Sequence, residues 1–210
     1  MDISSLSREE KKAYDLERID ALVTEQDGLA QTAEIMALGI DYRRILQFVK
    51  EGYLIRIKNG YYTTKYYECS EEERIVRLFP DGILTMETAL YYYGYLKNRP
   101  YAWQIAISKN TSKSRFKIDY PNVQPYYCEE NVLSLGITNI DVAGKQMKIY
   151  TKERLICDCL KYQEKMERND FKQAVLTYIQ EEEKDIAALM DFARERKVMK
   201  KVQSMIGIWL

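Results

Sequence analysis

The chain has 210 residues, 46% of them hydrophobic and 30% charged, the proportions of an ordinary globular protein rather than a disordered or fibrous one. Its 32 basic residues balance its 32 acidic ones, so no global field draws it toward a polyanion, and any such attraction must come from local clustering. It contains no histidine, which excludes a His general base, a His-supported Ser or Cys nucleophile and a His metal ligand.

The four cysteines do not have the spacing of a zinc site: Cys69 and Cys128 stand alone, and Cys157 and Cys159 point in different directions on a predicted helix. Four buried thiols in a reducing compartment are expected, and neither metal nor cofactor. The opening MDISSLSREEKKAYDLERID is charged and lacks an apolar signal region. There is also no run of about 18 apolar residues to span a membrane, so a cytoplasmic location without membrane association is expected. Tyrosine is in surplus, at 18 residues, about three times its usual share. Most of these tyrosines fall at strand-like or core-periodic positions, which favours packing over stacking on nucleobases.

In chain order, residues 7–26 predict a helix with Leu16, Ile19, Leu22 and Val23 inward, ended by Asp27-Gly28. A short helix over 30–37 turns Ala33, Ile35 and Met36 inward and exposes Gln31 and Thr32 at its start, and Gly39 permits a tight turn. Asp41 caps a third helix. Its wheel places Tyr42, Ile45, Leu46 and Val49 on the apolar side and Arg43, Arg44, Gln47 and Lys50 outward. The helix stops at Gly52. Asn59-Gly60 then closes a two-residue hairpin pairing Lys58 with Tyr61, Ile57 with Tyr62 and Arg56 with Thr63. Alternation puts Ile55, Ile57 and Tyr62 on one face and Arg56, Lys58, Tyr61 and Thr63 on the other.

This is the order of a winged helix-turn-helix, and its charge is polarised. Residues 42–65 carry a net +5, whereas residues 1–41 carry −6. The candidate DNA contacts are Arg43, Arg44 and Gln47 to base edges and Lys50, Arg56, Lys58 and Gln31 or Thr32 to phosphates. Tyr42, Asn59 and Tyr61 flank them. Winged helices also serve as protein-interaction modules, and basic helix faces are often merely solvated.

A seam is expected at residues 66–69, dividing a head (1–66) from a larger mixed α/β domain (67–210) with a helical C-terminal segment, an α+β fold overall. Ser70 to Glu73 reads as a capping box opening a helix with Ile75, Val76, Leu78 and Phe79 inward. A short strand over 82–85 leads to a helix over METALYYYGYL, with Met86, Ala89, Leu90 and Tyr93 sharing a face. Strands follow at 102–108, 116–118, 123–127, 132–135, 138–142 and 146–150. Thr151 caps a helix with Leu155, Ile156, Cys159 and Leu160 inward, on which Arg154 and Asp158 are spaced to pair. Helices over 170–181 and 185–206 finish the chain. The stretch 194–201 carries a net +4, which suits a solvated helix end better than a second anionic contact. There is no P-loop and no GxGxxG. Carboxylate-x-Lys pairs at Glu9-Lys11 and Glu182-Lys184 lie in charged helix faces. No enzymatic activity is expected.

Three stretches resemble the AbiE-type (AbiEi) antitoxins, transcriptional regulators of abortive-infection phage-defence operons. In EGYLIRIKNGYYTT, Gly52, Leu54, Arg56, Gly60 and Tyr62 fall on the family's wing pattern. ILTMETALYYYG matches at Ala89, Leu90 and Gly94, and YTKERLICDCL at Thr151, Glu153, Arg154 and Asp158. One departure is Asp41-Tyr42 at the start of the recognition helix, where Ser or Thr is more usual. The resemblance implies a two-domain antitoxin that represses its own operon at inverted repeats in double-stranded DNA, two copies per operator. It also implies that the protein counteracts a nucleotidyltransferase-like toxin without a stable complex being assumed. The alternatives are a winged-helix regulator or adaptor without a toxin partner, and a nuclease-like enzyme.

Overall fold

The computed structural model describes residues 7–207, so part of the charged opening stretch lies outside the described residues. The fold is mixed α+β. The chain divides into two compact units, the first running to Phe79 and taking in Lys117–Pro121, the second holding Pro80–Phe116 and the chain from Asn122 onward. The helix after the capping box therefore packs with the first unit, beyond the seam expected at residue 66.

The first unit opens with α1 (Arg8–Glu25), where Ser7 and Glu10 exchange bonds in a capping box. Strand β1 (Ala30–Gln31) leads straight into α2 (Thr32–Ala37), and α3 (Tyr42–Lys50) follows after Gly39 at φ +81°. That left-handed turn needs the missing Cβ. As expected, Asp41 caps α3, its Oδ1 accepting from the Arg44 amide at 2.9 Å. Strands β2 (Leu54–Lys58) and β3 (Tyr61–Thr64) form the hairpin, and β1 joins it to make an antiparallel sheet ordered β1-β3-β2. Ile19, Val23, Ala30, Ile35, Ile40, Ile45, Phe48, Leu54 and Tyr62 form one buried core. Helix α4 (Glu71–Leu78) starts at the Ser70–Glu73 box and buries Ile75 and Leu78, while Val76 is only half-buried. Its Arg77 reaches back to Glu34 Oε1 at 2.6 Å and to the Leu29 carbonyl at 3.4 Å.

Three details of this unit differ from expectation. In α2 only Ile35 is buried; Ala33 and Met36 are exposed. In α3 the buried residues are Ile45 and Phe48, while Tyr42 and Leu46 are 43% and 41% exposed. In the hairpin Lys58 does pair with Tyr61, but a bulge at Ile57 then sets Arg56 opposite Tyr62 and Ile55 opposite Thr63. A one-residue slip reverses every side chain of a strand. The bulge lets Leu54 and Tyr62 both enter the core, and Ile55 is turned out to 47% exposure while Thr63 is buried.

The second unit is built on a mixed five-stranded sheet ordered β6-β5-β4-β8-β7. Its strands are β4 (Ile83–Leu84), β5 (Trp103–Ser108), β6 (Val123–Cys128), β7 (Ile137–Val142) and β8 (Lys145–Tyr150). β5 pairs parallel to β6 and β4 parallel to β8, and the other two pairings are antiparallel. Strand β5 is buried on both faces, Gln104 and Ala106 as well as Trp103, Ile105 and Ile107. Two expected strands are absent. Residues 113–116 form a 3-10 turn, and Glu130–Leu133 is a short helix, α6.

Helix α5 (Met86–Tyr92) is held to β5 by a buried polar cluster. Thr88 Oγ1 donates to Gln104 Oε1 at 2.6 Å, and the Thr88 amide donates to the same oxygen at 2.9 Å. The Gln104 amide returns a bond to Thr88 Oγ1 at 2.9 Å. Helix α7 (Lys152–Lys161) begins at Thr151 and is buried along nearly its whole length. Helices α8 (Arg168–Gln180), α9 (Ile186–Glu195) and α10 (Met199–Met205) follow. The single helix expected over 185–206 is thus broken at Lys197, whose φ is +59°. There the amides of Lys197 and Val198 return to the carbonyls of Arg194 and Ala193, a Schellman closure with lysine where glycine is usual.

The break turns Arg196 inward. Arg154 and Arg196, both buried, share the one carboxylate of Asp158: Arg154 Nε donates to Oδ2 at 3.1 Å and Arg196 Nε to Oδ1. Arg154 Nη1 also binds the carbonyls of Val132 and Leu135, at 2.7 and 2.8 Å. Lys201 donates to the Leu160 carbonyl at 2.6 Å and Arg194 pairs with Asp191, so three basic residues of 194–201 are engaged within the unit. Asp158→Ala strands two buried guanidinium groups and is expected to cost about 3–5 kcal/mol in urea unfolding. Arg194→Ala, on an exposed pair, is expected to change stability by no more than about 0.5 kcal/mol. Equal effects of the two substitutions would show that the buried network does not hold the unit.

Candidate nucleic-acid interface

The candidate residues of the first unit fall into two sets. One is the outer arc of α3. At 3.6 residues per turn, Tyr42, Arg43, Leu46 and Lys50 lie within about 100° of one another, opposite buried Ile45 and Phe48. Arg43 and Lys50 are exposed and have neither an ion pair nor a hydrogen bond among the described residues.

Arg44 and Gln47, expected to point outward with Arg43, lean instead toward α1. Arg44 Nε donates to Asp15 Oδ2 at 3.4 Å, and its guanidinium lies 4.7 Å from the Phe48 ring centroid. Gln47 Nε2 donates to Glu51 Oε1 at 2.7 Å, while Lys12 pairs with the other Glu51 oxygen at 2.8 Å. These bonds, that from Lys12 foremost, hold the Glu51 carboxyl below its ordinary pKa. The acids of α1 and of the helix end thus neutralise one flank of α3 and leave the Arg43–Lys50 flank charged. Phe48 is the core residue the wheel omitted; its i, i+3 spacing from Ile45 was the available signal.

The other set belongs to the hairpin. Arg56 bonds to the Asn59 side chain across the tip, so Asn59 orients a cation as well as shaping the turn. Lys58 Nζ lies 4.4 Å from the Tyr61 ring centroid and 5.3 Å from that of Phe79. Lys65 stands over Tyr53 and Tyr66, at 5.2 and 4.8 Å. The tip is tied to the start of α2: the Thr32 amide donates to the Gly60 carbonyl at 2.9 Å, and Gln31 is paired with Tyr61. The Gln31 amide is also engaged, by Glu34 at 2.6 Å. Gln31 and Thr32 therefore use their backbone donors internally and retain only half-buried side chains for any ligand.

The first unit thus combines a tight α2–α3 turn with a basic hairpin. Residues 17–65, which include every candidate position, match the family described as "Transcriptional regulator, AbiEi antitoxin". Over this stretch the chain is similar to the AbiEi-type antitoxin regulators. No curated protein matches the chain as a relative. Among the described residues no helix is long and apolar enough to cross a membrane.

Arg44→Ala, which removes an ion pair and a stacking contact, is expected to lower stability by about 1 kcal/mol. Arg43→Ala is expected to stay within about 0.5 kcal/mol of the parent. Thermal unfolding of the two variants reads the difference, and an equal loss in both would refute the division of α3 into a braced flank and a free one.

Proposed function

We propose that the first unit is a winged helix-turn-helix that binds double-stranded DNA, with α3 as recognition helix and the β2–β3 hairpin as wing. The observation carrying this reading is the outer arc of α3, where Arg43 and Lys50 remain uncommitted while Asp15 and Glu51 are spent on Arg44 and Lys12. Arg43 is the base reader, bidentate to guanine O6 and N7, and Leu46 beside it offers an apolar contact for a thymine methyl. Lys50, Arg56 and Lys58 hold phosphates, with Tyr42 and Tyr61 flanking them. Arg44 and Gln47, first assigned to base edges, become positioning residues that set the pitch of the helix against α1.

The family match supports a wider reading. The protein is an antitoxin that represses its own toxin–antitoxin operon at inverted repeats, two copies per operator, as part of phage defence. It counteracts a nucleotidyltransferase-like toxin through the second unit. The site in the first unit is separable from that activity, because all of its residues lie before Thr64.

A mobility-shift titration on the DNA upstream of the gene, at two salt concentrations, tests the reading. Arg43→Ala is expected to cost about 1–3 kcal/mol of affinity and to relax sequence preference. Lys50→Ala is expected to weaken all sequences alike and to reduce the salt slope by about 1. If the Arg43→Ala, Lys50→Ala double variant binds that DNA with the parent's affinity and salt dependence, the recognition-helix assignment is wrong.

A further inference from the structure

In the second unit, Glu87 at the start of α5 is only 9% exposed, and its Oε2 is buried without a hydrogen-bond partner among the described residues. A carboxylate oxygen left dry and unpaired is costly and seldom retained without a role. Its position is not accidental. The Thr88–Gln104 bonds pin the first turn of α5 to β5, and Thr85 adds a 3.1 Å bond to the Gln104 carbonyl.

Glu87 borders a cleft of about 540 Å³, within the usual range for a small-ligand site. Asp170 and the side-chain amides of Asn98, Asn169 and Gln173 line the same space. Burial raises the Glu87 carboxyl above its ordinary pKa, a hydrogen bond from its own backbone offsets part of this, and the nearby acids Asp170 and Glu167 push it up again. A cation seated beside Glu87 would relieve both effects. Lys97 and Arg99 also line the cleft but are exposed, and Arg99 is drawn over the Trp103 ring at 4.6 Å. The cleft is therefore acidic at its buried end and basic at its lip. Among the described residues no three metal-ligating side chains converge, so the donor set suits an organic cation better than a divalent ion.

We propose that this cleft binds a guanidinium or ammonium group, with Glu87 as its buried counter-ion, Asp170 as a second acceptor and the amides of Asn98, Asn169 and Gln173 fixing its orientation. The group belongs either to a free small molecule or to a basic side chain presented by a partner protein. The basic lip would accept a carboxylate on the same molecule. This inference is independent of DNA binding by the first unit.

Calorimetric titration of the full chain with L-arginine, agmatine and a short arginine-containing peptide tests it. Saturable binding of at least one probe is expected, weakened about tenfold or more by Glu87→Gln and by a smaller factor by Asp170→Asn. Binding of the free molecules identifies a small-molecule ligand, and binding of the peptide alone identifies a partner's side chain. Glu87→Gln keeps the size of the side chain and removes an unpaired charge, so its melting temperature is expected to equal or exceed the parent's. The proposal is overturned if no probe binds saturably, if Glu87→Gln binds as well as the parent, or if Glu87→Gln lowers the melting temperature, since that would reveal a partner for the carboxylate within the fold.

Discussion

The second unit depends on one carboxylate. Asp158 pairs with two guanidinium groups that reach it from α7 and from the break between α9 and α10. Arg154 also gathers the carbonyls of Val132 in α6 and of Leu135 just after it, and lies 4.1 Å from the centroid of Tyr150 at the end of β8. Such a cluster is a weak source of net stability, because desolvation offsets most of the Coulomb gain. Its effect is on specificity, since any other packing of these helices leaves a charge stranded in the interior. Gly136 shows how closely the chain is drawn in, for a Cβ there would come within 2.7 Å of the Arg154 Cβ and 2.9 Å of the Phe192 ring.

The first unit follows a different logic. Its core is almost wholly apolar, and its charges are sorted on the surface. Glu34 illustrates the sorting: one oxygen accepts from the Gln31 amide and the other from Arg77 of α4, so a single side chain joins the start of α2 to the helix after the hairpin. Asp15 and Glu51 are likewise engaged by Arg44 and Lys12, whereas Arg43 and Lys50 stay exposed on the other flank of α3. A protein of zero net charge acquires a basic edge by this arrangement alone.

Element order and caps were legible in the residues because their signals are local: Asp41, Ser70 and Thr151 each begin the helix they were expected to begin. The Arg154–Asp158 pair was legible from its spacing, but its second cation was not. Arg196 lay in a stretch that looked like continuous helix because the Schellman turn there uses Lys197 instead of glycine. The hairpin tip was read correctly and its register was not. Asn59-Gly60 specifies only the turn, whereas the bulge at Ile57 answers to the burial of Leu54 and Tyr62. On α3, adjacent Arg43 and Arg44 are indistinguishable as residues. Their division depends on Asp15, far away in sequence, and is a tertiary effect that no local pattern encodes. The short run 132–135, expected as a strand, instead ends helix α6 with Val132 and Leu133 and turns at Ser134 and Leu135, an ambiguity that periodicity over four residues cannot resolve.

The missing histidines have a last consequence. Burial is the leading reason that all four thiols lie above their ordinary pKa, Cys157 at about 12, and the phenols of half-buried Tyr93 and buried Tyr126, Tyr150 and Tyr178 are likewise raised. With no histidine the chain lacks the side chain whose ordinary pKa falls between pH 5 and 8. Where the basic edge meets a polyanion as proposed, salt and competing macromolecules are the direct means of altering that contact.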